Sequence, residues 1–600
     1  MKIIHKLGGR AVKKEGEGYF LLTDKAGSYL SLGSKWNITH MQGLFHLDKN
    51  WNMYKSVENI YLDKDITEIE NNFTHVVRRY GDSEEIFSLT ATALIYEVKN
   101  YSGYINLDLD FRDMFDFDDK KRIYVIEEED DTILIHYKKH RKYLAIKGVK
   151  DYEIIGDWER REYLYDKVRS TKHDFYIYKA MRIKCDGNLK LFITFSESRK
   201  EALSYVKSGF TNESVLKNIL HLRKKSVCRK ENLTSNAAIY ALDSLRTIIG
   251  KGNHRLEGVF AGLPWFYQFW ARDELISLKA FMIEERFEFV KNRLMNYLNA
   301  IDETGRIPNK LPSSNLNSAD AIGWLFKRLY DFLTILEEKK CLEDYFSKDD
   351  FIKIKHKLHF CIEEQMARYM KDYIMYNDVN ETWMDTAVNK DDGRPGACIE
   401  IQALFLSLFK LMQVLCKHLR LTYFGYGTLE KLFVKHIKKE FFKKGDLFDR
   451  LGDKTIRPNV FIAYYVYPEL LRKYEWMIVF NKAIRGLWLD WGGFSSIDKK
   501  NPLFQANYTG HNNLSYHRGD SWYWVNNLAA ICMHSLDKKK YHHFIDYIYH
   551  ANEEELLYSG FIGHSAEISS ASEQKSEGCI AQAWSVATFI ELIEKLKRNT

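Results

Sequence analysis

The sequence contains very little proline. Only seven of its 600 residues are proline, against roughly 30 in an average chain of this length. None of the seven precedes Pro264, and ten of the thirteen tryptophans lie between Trp265 and Trp584. Six hundred residues also exceed what one hydrophobic core usually supports. The uneven distribution of proline and tryptophan therefore predicts two domains of different construction.

The sequence also lacks paired cysteines, a large net charge and long apolar runs, and these absences exclude several classes of protein and site. The eight cysteines contain no C-x-x-C pair, so a zinc knuckle is excluded, and their low density argues against a disulfide framework. The net charge of +7 is small, and the longest basic run, 138–142, matches no nucleic-acid-binding module. The sequence contains no run of 18 apolar residues, so no membrane span is predicted, and residues 1–10 contain no apolar core of signal-peptide length. We expect a cytoplasmic protein with free thiols and without a metal, a cofactor, a nucleic-acid partner or a membrane partner.

The first third of the chain has the pattern of β-strands. Short runs rich in β-branched and aromatic residues, such as 92–98, 104–111 and 189–195, alternate with polar turns. This spacing predicts an antiparallel β-sandwich over 1–205. Residues 206–234 are polar and predict a helical connector.

After Ser235 the hydrophobic period changes to that of amphipathic helices. Twelve helices over 235–600 predict six helical hairpins closed into an (α/α)6 barrel, with an open α-solenoid as the alternative. A solenoid requires a repeat of fixed period, and the sequence shows none. Three long connections, 301–319, 373–397 and 489–518, are rich in Trp, Gly and Pro and are the expected location of a functional site. The predicted helices are 235–250, 272–284, 286–300, 320–337, 350–372, 398–420, 428–442, 460–472, 474–488, 519–536, 540–556 and 579–597.

Two tryptophans and an arginine–aspartate pair precede the second of these helices. Trp265 and Trp270 are followed by Arg272 and Asp273. A carboxylate and a guanidinium hydrogen-bond well to adjacent sugar hydroxyls, and an indole stacks on a pyranose ring. The alternative is an acidic helix cap beside core aromatics.

A second segment places an acid beside an indole. Asp385 follows Trp383, and Glu400 begins the next helix. Loss of hydration against an indole raises the pKa of a carboxyl group, as a general acid near neutral pH requires. The alternative for Asp385 is an ordinary turn-forming aspartate.

Two further segments complete the candidate site. Tyr516, His517 and Trp522 favour sugar binding, and no third ligand accompanies His511 and His517 as a metal site would require. Glu567 is a loop acid, which on its own is more often a solvated residue. Together with Asp385 it gives two loop carboxylates from distant hairpins, a combination that suits acid/base hydrolysis of a glycoside. No G-x-S-x-G motif, P-loop or dinucleotide-binding fingerprint competes with this interpretation.

An ordered series of segments over about 240–600 resembles glycogen debranching enzymes, specifically their amylo-α-1,6-glucosidase domain. The stretch from Asp110 to Phe115 is similar to the β-sandwich of the short prokaryotic forms. The resembling segments are Gly262-Leu-Pro-Trp-Phe266, Trp270-Ala-Arg-Asp273, Gly305-Arg-Ile-Pro-Asn309, Ser318-Ala-Asp320, Thr382-Trp-Met-Asp385, Glu400-Ile-Gln-Ala-Leu404, Arg457-Pro-Asn459 and Gly578-Cys-Ile-Ala-Gln-Ala-Trp584.

The resemblance implies an (α/α)6 barrel that hydrolyses α-glucosidic bonds with inversion. It implies Asp385 as the general acid and Glu567 as the general base, since Glu567 alone among nearby glutamates has the Glu-Ile context. It also implies that Arg272 and Asp273 bind the terminal glucose. The expected substrates are α-glucans: glycogen, maltodextrin and branched oligosaccharides. The transferase barrel of the eukaryotic enzymes is expected to be absent, because sandwich and helices already occupy the chain.

One departure from the family pattern leaves alternatives open. The family's Tyr-His-Gln-Gly-Thr-x-Trp stretch is replaced by Tyr516-His-Arg-Gly-Asp-Ser-Trp522, which is closer to glucoamylase-like enzymes. A glucoamylase-type exo-hydrolase of α-1,4 ends is therefore the first alternative to α-1,6 debranching. A disaccharide phosphorylase is the second, although phosphorylases lack the base that Glu567 supplies. The alternative outside enzymes is a non-catalytic glucan-binding protein, which needs aromatic surfaces but no paired acids.

Overall fold

The chain divides into two compact units in the computed structural model. The first unit comprises residues 1–257 and 554–565, and the second comprises 258–553 and 566–600. Residues 206–257 thus belong to the first unit, whereas the sequence predicted a β domain over 1–205, a helical connector over 206–234 and a helical domain from 235. The described residues are 4–230, 232–250, 255–311, 316, 318–387 and 393–597, so parts of the predicted loops 301–319 and 373–397 lie outside them.

The first unit is built on one curled sheet of fifteen strands. Its two central strands are β10, with 20 residues, and β15, with 23, and they run antiparallel to each other. The first half of β10 pairs with β9 and the second half with β6, so the sheet changes partners along a single strand. The strands are β1 (Ile4–Leu7), β2 (Arg10–Glu15), β3 (Tyr19–Thr23), β4 (Tyr29–Gly33), β5 (Gly43–Leu47), β6 (Met53–Leu62), β7 (Glu68–Asn71), β8 (Val76–Tyr80), β9 (Ser83–Leu89), β10 (Leu94–Asp113), β11 (Tyr124–Glu129), β12 (Thr132–Tyr137), β13 (Lys142–Lys147), β14 (Tyr152–Glu162) and β15 (Asp174–Ser196), followed by β16 (Arg246–Ile249) and β17 (Leu256–Val259).

The prediction of a β domain is confirmed, but its strands form one curled sheet instead of two separate sheets. The long strands β10 and β15 run through both halves of the sheet. Register shifts after Val98 and Leu107 add the twist that lets the sheet curl. The absence of proline before Pro264 permits such length, because proline cannot donate to a strand ladder. One pairing, β1 with β7, is parallel.

Alternate residues of the sheet face two different cores. Leu94 and Tyr96 lie in the large inner cluster, whereas Ile95 between them packs with Val206 of a helix on the other face. That helix, α2, is capped by Ser198, whose hydroxyl accepts from the backbone N–H of Glu201. The helices of this unit are α1 (Leu164–Val168), α2 (Arg199–Thr211), α3 (Glu213–Val227) and α4 (Leu233–Leu245).

The second unit is helical, and eleven of the twelve segments predicted from the 3.6-residue period contain a helix there; the twelfth, 235–250, contains α4 and belongs to the first unit. The helices predicted over 519–536 and 540–556 form a single helical element that kinks at Asp537. The helix predicted over 460–472 ends at Val466 instead, because Pro468 begins a 3₁₀ turn. The helices are α5 (Ala271–Ile283), α6 (Phe287–Asn299), α7 (Ala321–Glu338), α8 (Leu342–Tyr345), α9 (Lys348–Tyr369), α10 (Ile399–His418), α11 (Phe424–Phe441), α12 (Asn459–Val466), α13 (Lys473–Leu487), α14 (Tyr523–Tyr558) and α15 (Ala583–Lys597).

Alternate helices pack side by side in a continuous series. Helix α15 packs on α5, α5 on α7, α7 on α10 and α10 on α12. The Cys532 thiol of α14 donates to the Phe461 carbonyl of α12, and the Asn527 amide of α14 donates to the Ser585 carbonyl of α15. Among the described residues, α10 alone is long and apolar enough to span a membrane, and 83% of that stretch is buried inside the protein, as in a core helix.

Short strand pairs link the loops between these helices. Three of the pairs join 262–263 to 581–582, 269–270 to 310–311 and 521–522 to 568–569, and these bring residues from separate hairpins to one site. The other three close local hairpins. The pairs are β18 (Gly262–Leu263) with β29 (Ala581–Gln582), β19 (Phe269–Trp270) with β20 (Lys310–Leu311), β21 (Met370–Lys371) with β22 (Ile374–Met375), β23 (Phe442–Lys443) with β24 (Asp446–Leu447), β25 (Trp488–Leu489) with β26 (Gly493–Phe494), and β27 (Ser521–Trp522) with β28 (Ile568–Ser569).

A buried ion pair joins α5 to α6, and its loss is expected to destabilise the protein. Both carboxylate oxygens of Glu274 accept from Arg293, each at 2.8 Å, and one also accepts from the Tyr297 hydroxyl. Because Glu274→Ala leaves Arg293 buried without a counter-ion, we expect the free energy of unfolding to fall by about 3–5 kcal/mol. Denaturant unfolding measures this. The control Lys339→Ala removes an exposed pair and should change stability by less than about 1 kcal/mol; equal effects of the two variants would contradict the prediction.

Candidate active site

A cavity of about 330 Å³ opens in the second unit, and eight of the eleven residues predicted for the site line it. They come from the loops before α5, before α10, before α14 and before α15. The complete lining is Ala261, Phe266, Trp270, Arg272, Asp273, Asn309, Leu316, Asn380, Trp383, Asp385, Thr386, Tyr516, Trp522, Glu567, Gln582 and Trp584.

Close backbone contact brings the cavity walls together. Gly262 pairs with Gln582 in the strand pair β18–β29. A Cβ atom on Gly262 would lie 2.2 Å from Oε1 of Gln582 and 2.8 Å from the Ala581 carbonyl oxygen, so only glycine allows this approach. The pair β27–β28 places Trp522 opposite Ile568, directly beside Glu567. Main-chain hydrogen bonds therefore fix the loops on two sides of the cavity.

Arg272 bridges two carboxylates at the cavity wall. Its Nε donates to Asp320 Oδ2 at 2.6 Å, and its Nη1 donates to Asp385 Oδ2 at 2.8 Å. Asp320 is 1% exposed, and its second oxygen accepts from the Ser318 hydroxyl. The third nitrogen of Arg272, Nη2, has no hydrogen-bond partner among the described residues. Arg272 thus fixes one oxygen of Asp385 and is itself fixed by Asp320.

The surroundings of Asp385 favour its protonated form. Burial raises the pKa of this carboxyl group; Arg272 opposes the rise and Asp320 adds to it, and the net pKa lies above its ordinary value. The side chain is 32% exposed. Trp383, two residues earlier, is buried, and its indole donates to Asn459 at 2.7 Å, which fixes the loop.

Glu567 lies in a polar setting with both oxygens engaged. The Tyr516 hydroxyl donates to Oε1 at 2.5 Å, and the Cys579 backbone N–H donates to Oε2 at 3.0 Å. Burial and the neighbouring carboxylate raise the pKa of Tyr516 well above its ordinary value, so its hydroxyl remains a donor. A Cβ on Gly578 would lie 2.5 Å from Glu567 Oε2, so glycine is required there as well.

Asp273 lies within the electrostatic reach of both acids. Burial raises its pKa to about 8; Arg272 opposes this rise, and the charges of Glu567 and Asp385 add to it. One oxygen of Asp273 accepts from the side-chain amide of Gln582 at 3.0 Å. Asp273 is therefore largely protonated at neutral pH and can donate a hydrogen bond into the cavity.

Three predicted residues lie outside the cavity lining. Glu400 is 1% exposed, and both of its oxygens accept from Arg394, so it supports the site from behind instead of facing a substrate. His517 stacks on Trp522 with ring centroids 5.1 Å apart, and burial lowers its pKa well below the ordinary value. Trp265 packs edge-on against Phe266, which does line the cavity.

Several cavity residues were not predicted from the sequence. Asn309, Gln582 and Trp584 belong to the motifs that resemble the family, but amides and a further indole give no chemical signal of their own. Phe266 and Asn380 lie next to predicted residues and could have been found by that proximity. Within the part of the chain that the structure describes, no three His, Cys, Asp or Glu side chains form a group that could hold a metal ion.

The raised pKa of Asp273 predicts a pH-dependent stability. The folded protein retains this proton up to about pH 8, whereas the unfolded chain releases it near pH ~4. The unfolded state thus binds fewer protons in this window, and stability decreases as the pH rises through it. Asp273→Asn removes this contribution and keeps an acceptor for Gln582. Its melting temperature relative to the wild type should therefore increase from pH 5 to pH 8 in thermal unfolding; a pH-independent difference would contradict the prediction.

Comparison with known proteins places this site in a family. A family model described as amylo-alpha-1,6-glucosidase matches residues 236–591. No curated protein matches the chain. A solved bacterial glucoamylase in complex with acarbose is similar to it with a TM-score of 0.61 and 11% identity, over 98% of this chain and 89% of that one. A GH63 mannosylglycerate hydrolase from Thermus thermophilus in complex with glucose gives a TM-score of 0.45 and 11% identity, over 60% of this chain and 98% of that one.

The likeness to the bacterial glucoamylase shows a shared fold, a curled β sheet with a helical C-terminal part. The family model matches residues 236–591, which is more than half of the chain and includes both loop acids. The chain therefore belongs to the amylo-alpha-1,6-glucosidase family and is a glycoside hydrolase.

Proposed function

We propose that the protein is an inverting glycoside hydrolase that releases glucose from α-1,6 branch points of glycogen or related α-glucans. One observation carries this proposal: Asp385 and Glu567, from loops almost 200 residues apart, line the same cavity in different environments. Burial and Asp320 favour the protonated form of Asp385, whereas two donors hold Glu567. An acid and a base with separate environments are what inverting hydrolysis needs.

In this proposal Asp385 protonates the glycosidic oxygen. Arg272 occupies Oδ2 of Asp385, so Oδ1 is the oxygen left to carry the proton toward the substrate. Because the same Arg272 is tied to Asp320, the acid cannot rotate freely away from the scissile bond. As the glycosidic bond breaks, Asp385 becomes an anion, and the guanidinium that it already contacts stabilises the new charge.

Glu567 serves as the general base. Tyr516 and the Cys579 N–H orient its carboxylate, which removes a proton from a water molecule on the opposite face of the sugar ring. Attack from that face gives β-glucose from an α-glucoside. The mechanism requires the two carboxyl groups to be roughly 6.5–9.5 Å apart, because a water molecule must fit between Glu567 and the sugar.

The remaining cavity residues suit a terminal glucose. Protonated Asp273 and the amide of Gln582 present hydrogen-bonding groups, and the Trp270 and Trp584 indoles present apolar faces beside them. Arg272, which the resemblance assigns to glucose binding, already donates from Nε to Asp320 and from Nη1 to Asp385, and its Nη2, unpartnered among the described residues, donates to neither carboxylate. We therefore assign most of the glucose hydrogen bonding to Asp273 and Gln582.

We also propose that the second unit closes as an (α/α)6 barrel. The packing series α15, α5, α7, α10 and α12 and the hydrogen bonds of α14 to α12 and α15 support a ring of inner helices. In such a barrel the loops at one end form a single mouth, and this accounts for how the loop before α5 meets the loop before α15.

A glucoamylase-type exo-hydrolase of α-1,4 ends is the second candidate. The observation that favours it is the fold shared with the bacterial glucoamylase, which covers nearly the whole chain. Both candidates use the same acid, base and stereochemistry. Only linkage preference separates them, so a panel of panose, isomaltose and maltotriose decides between them.

Removal of either carboxylate tests the catalytic assignment. Proton transfer by a positioned side chain contributes about 10²–10⁴-fold in rate, so Asp385→Asn and Glu567→Gln should each lower kcat by that factor on panose or a limit dextrin. Proton NMR of the wild-type reaction should show β-glucose first. The matched control is Glu577→Gln, a nearby buried glutamate outside the cavity lining. Near-normal turnover of Glu567→Gln, or early α-glucose, would contradict the proposal.

The Asp320–Arg272–Asp385 contacts predict a shift in the pH profile. Asp320 raises the pKa of Asp385, so Asp320→Asn should lower that pKa. Activity requires protonated Asp385 and is lost as the pH rises through its pKa. The alkaline limb of kcat against pH should therefore move to lower pH. The control Asp344→Asn changes an exposed carboxylate on α8 and should leave the limb in place; an alkaline shift for Asp320→Asn would contradict the prediction.

A further inference from the structure

A second concave surface lies in the same unit, outside the catalytic cavity. It has a volume of about 510 Å³ and surrounds the β21–β22 hairpin that follows α9. We call it the hairpin groove. Its lining residues are Arg368, Tyr369, Met370, Lys371, Tyr376, Asn377, Asp378, Pro395 and Gly396.

Two tyrosines form an aromatic face in the hairpin groove. Tyr369 and Tyr376 flank the two strands, and the Tyr376 N–H donates to the Tyr369 carbonyl at 2.7 Å. Residues directly opposite each other in such a pair project to the same side. The Arg306 guanidinium stacks 3.8 Å from the centre of the Tyr369 ring and fixes its orientation. Both tyrosine side chains therefore project to the same side of the hairpin, and both are half-buried.

A buried amide beside these rings lacks a partner. Asn377 is 5% exposed, and its Nδ2 donates to the carbonyls of Asp378 and Arg394 at 3.0 and 2.9 Å. Its Oδ1 has no hydrogen-bond partner among the described residues. Because this oxygen is itself buried, the amide does not face the groove; it fixes the backbone of the groove wall at Asp378 and Arg394.

The segment that lines the groove continues directly into the catalytic cavity. Asp378 lines the groove and Asn380 lines the cavity, and their Cα atoms are at most about 7 Å apart because a single residue lies between them. Glu381 clamps this segment: one oxygen pairs with Arg306 and the other accepts from the Asp378 N–H. The two concave surfaces therefore share one fixed segment of chain.

We propose that the hairpin groove binds a second stretch of an α-glucan chain while the terminal glucose occupies the catalytic cavity. The two half-buried tyrosines suit the apolar faces of pyranoses, and the exposed carboxylate of Asp378 suits their hydroxyls. Arg368 is already paired with Glu364, so the groove has one further cation and one carboxylate and favours a neutral ligand. This inference rests on the proposed function, because it identifies how a branched polymer, as distinct from a short oligosaccharide, is held.

Kinetics with substrates of two sizes test the groove. Loss of one ring contact is worth about 0.5–1.5 kcal/mol, so Tyr376→Ala should raise the ratio of KM for a limit dextrin to KM for panose by about 2- to 10-fold. Asp378→Ala, an exposed position, should change the ratio in the same direction and guards against a folding defect in the first variant. The matched control is Tyr474→Ala, an exposed tyrosine on α13 outside the groove, with an unchanged ratio.

Direct binding makes the test independent of turnover. Titration calorimetry of maltose, whose two glucose units cannot fill both surfaces at once, into Glu567→Gln protein should show two sites, and the double variant with Tyr376→Ala should show one. An unchanged KM ratio together with the same number of sites in both proteins would contradict the proposal that the hairpin groove binds an α-glucan chain. Absence of wild-type hydrolysis of every α-glucan would instead overturn the proposed function, and the calorimetric result would still decide the groove.

Discussion

One buried cation faces an excess of carboxyl groups, and this imbalance governs the active site. Arg272 contacts Asp320 and Asp385 directly, while Asp273 and Glu567 lie in the same cavity. A single guanidinium cannot neutralise four carboxylates in an enclosed space, so part of them must hold protons. The positions that take up protons are Asp273 and Asp385, whose pKa values are raised. The proton that Asp385 donates in the proposed mechanism is thus held chiefly by burial, and the neighbouring carboxylate of Asp320 adds to this effect.

A second buried arginine holds the catalytic loop in place without entering the cavity. Arg394 donates to both oxygens of Glu400 and of Asp449. Asp449 also accepts from Asn459, which in turn accepts from the Trp383 indole. This chain of contacts ends two residues before Asp385. Arg394 therefore supports the loop from behind, whereas Arg272 contacts Asp385 itself and opposes the rise in the pKa of that carboxyl group.

The sequence predicts those features that depend on local pattern. The 3.6-residue period located the helices, and the departures have local causes such as the early end of α12 before Pro468. The single curled sheet could not be predicted, because it depends on β10 changing partners along its length, a long-range pairing that leaves no periodic signal. At the site, motif-placed Asp385 and Glu567 line one cavity. Glu400 does not line the cavity, because both of its oxygens accept from Arg394. The sequence does not reveal this pairing, since an acid at the start of a helix gives no indication of its partner.

The departure from the family motif lies outside the cavity, and this bears on linkage preference. Asp520 is fully buried and accepts from the Ser515 hydroxyl, and the neighbouring Gly519 leaves no room for a side chain, since a Cβ there would lie 1.7 Å from a backbone oxygen. None of the residues 518–520 lines the cavity. Side chains that cannot touch a substrate cannot read its linkage directly. Linkage preference therefore depends on the residues that line the cavity and not directly on this departure from the motif.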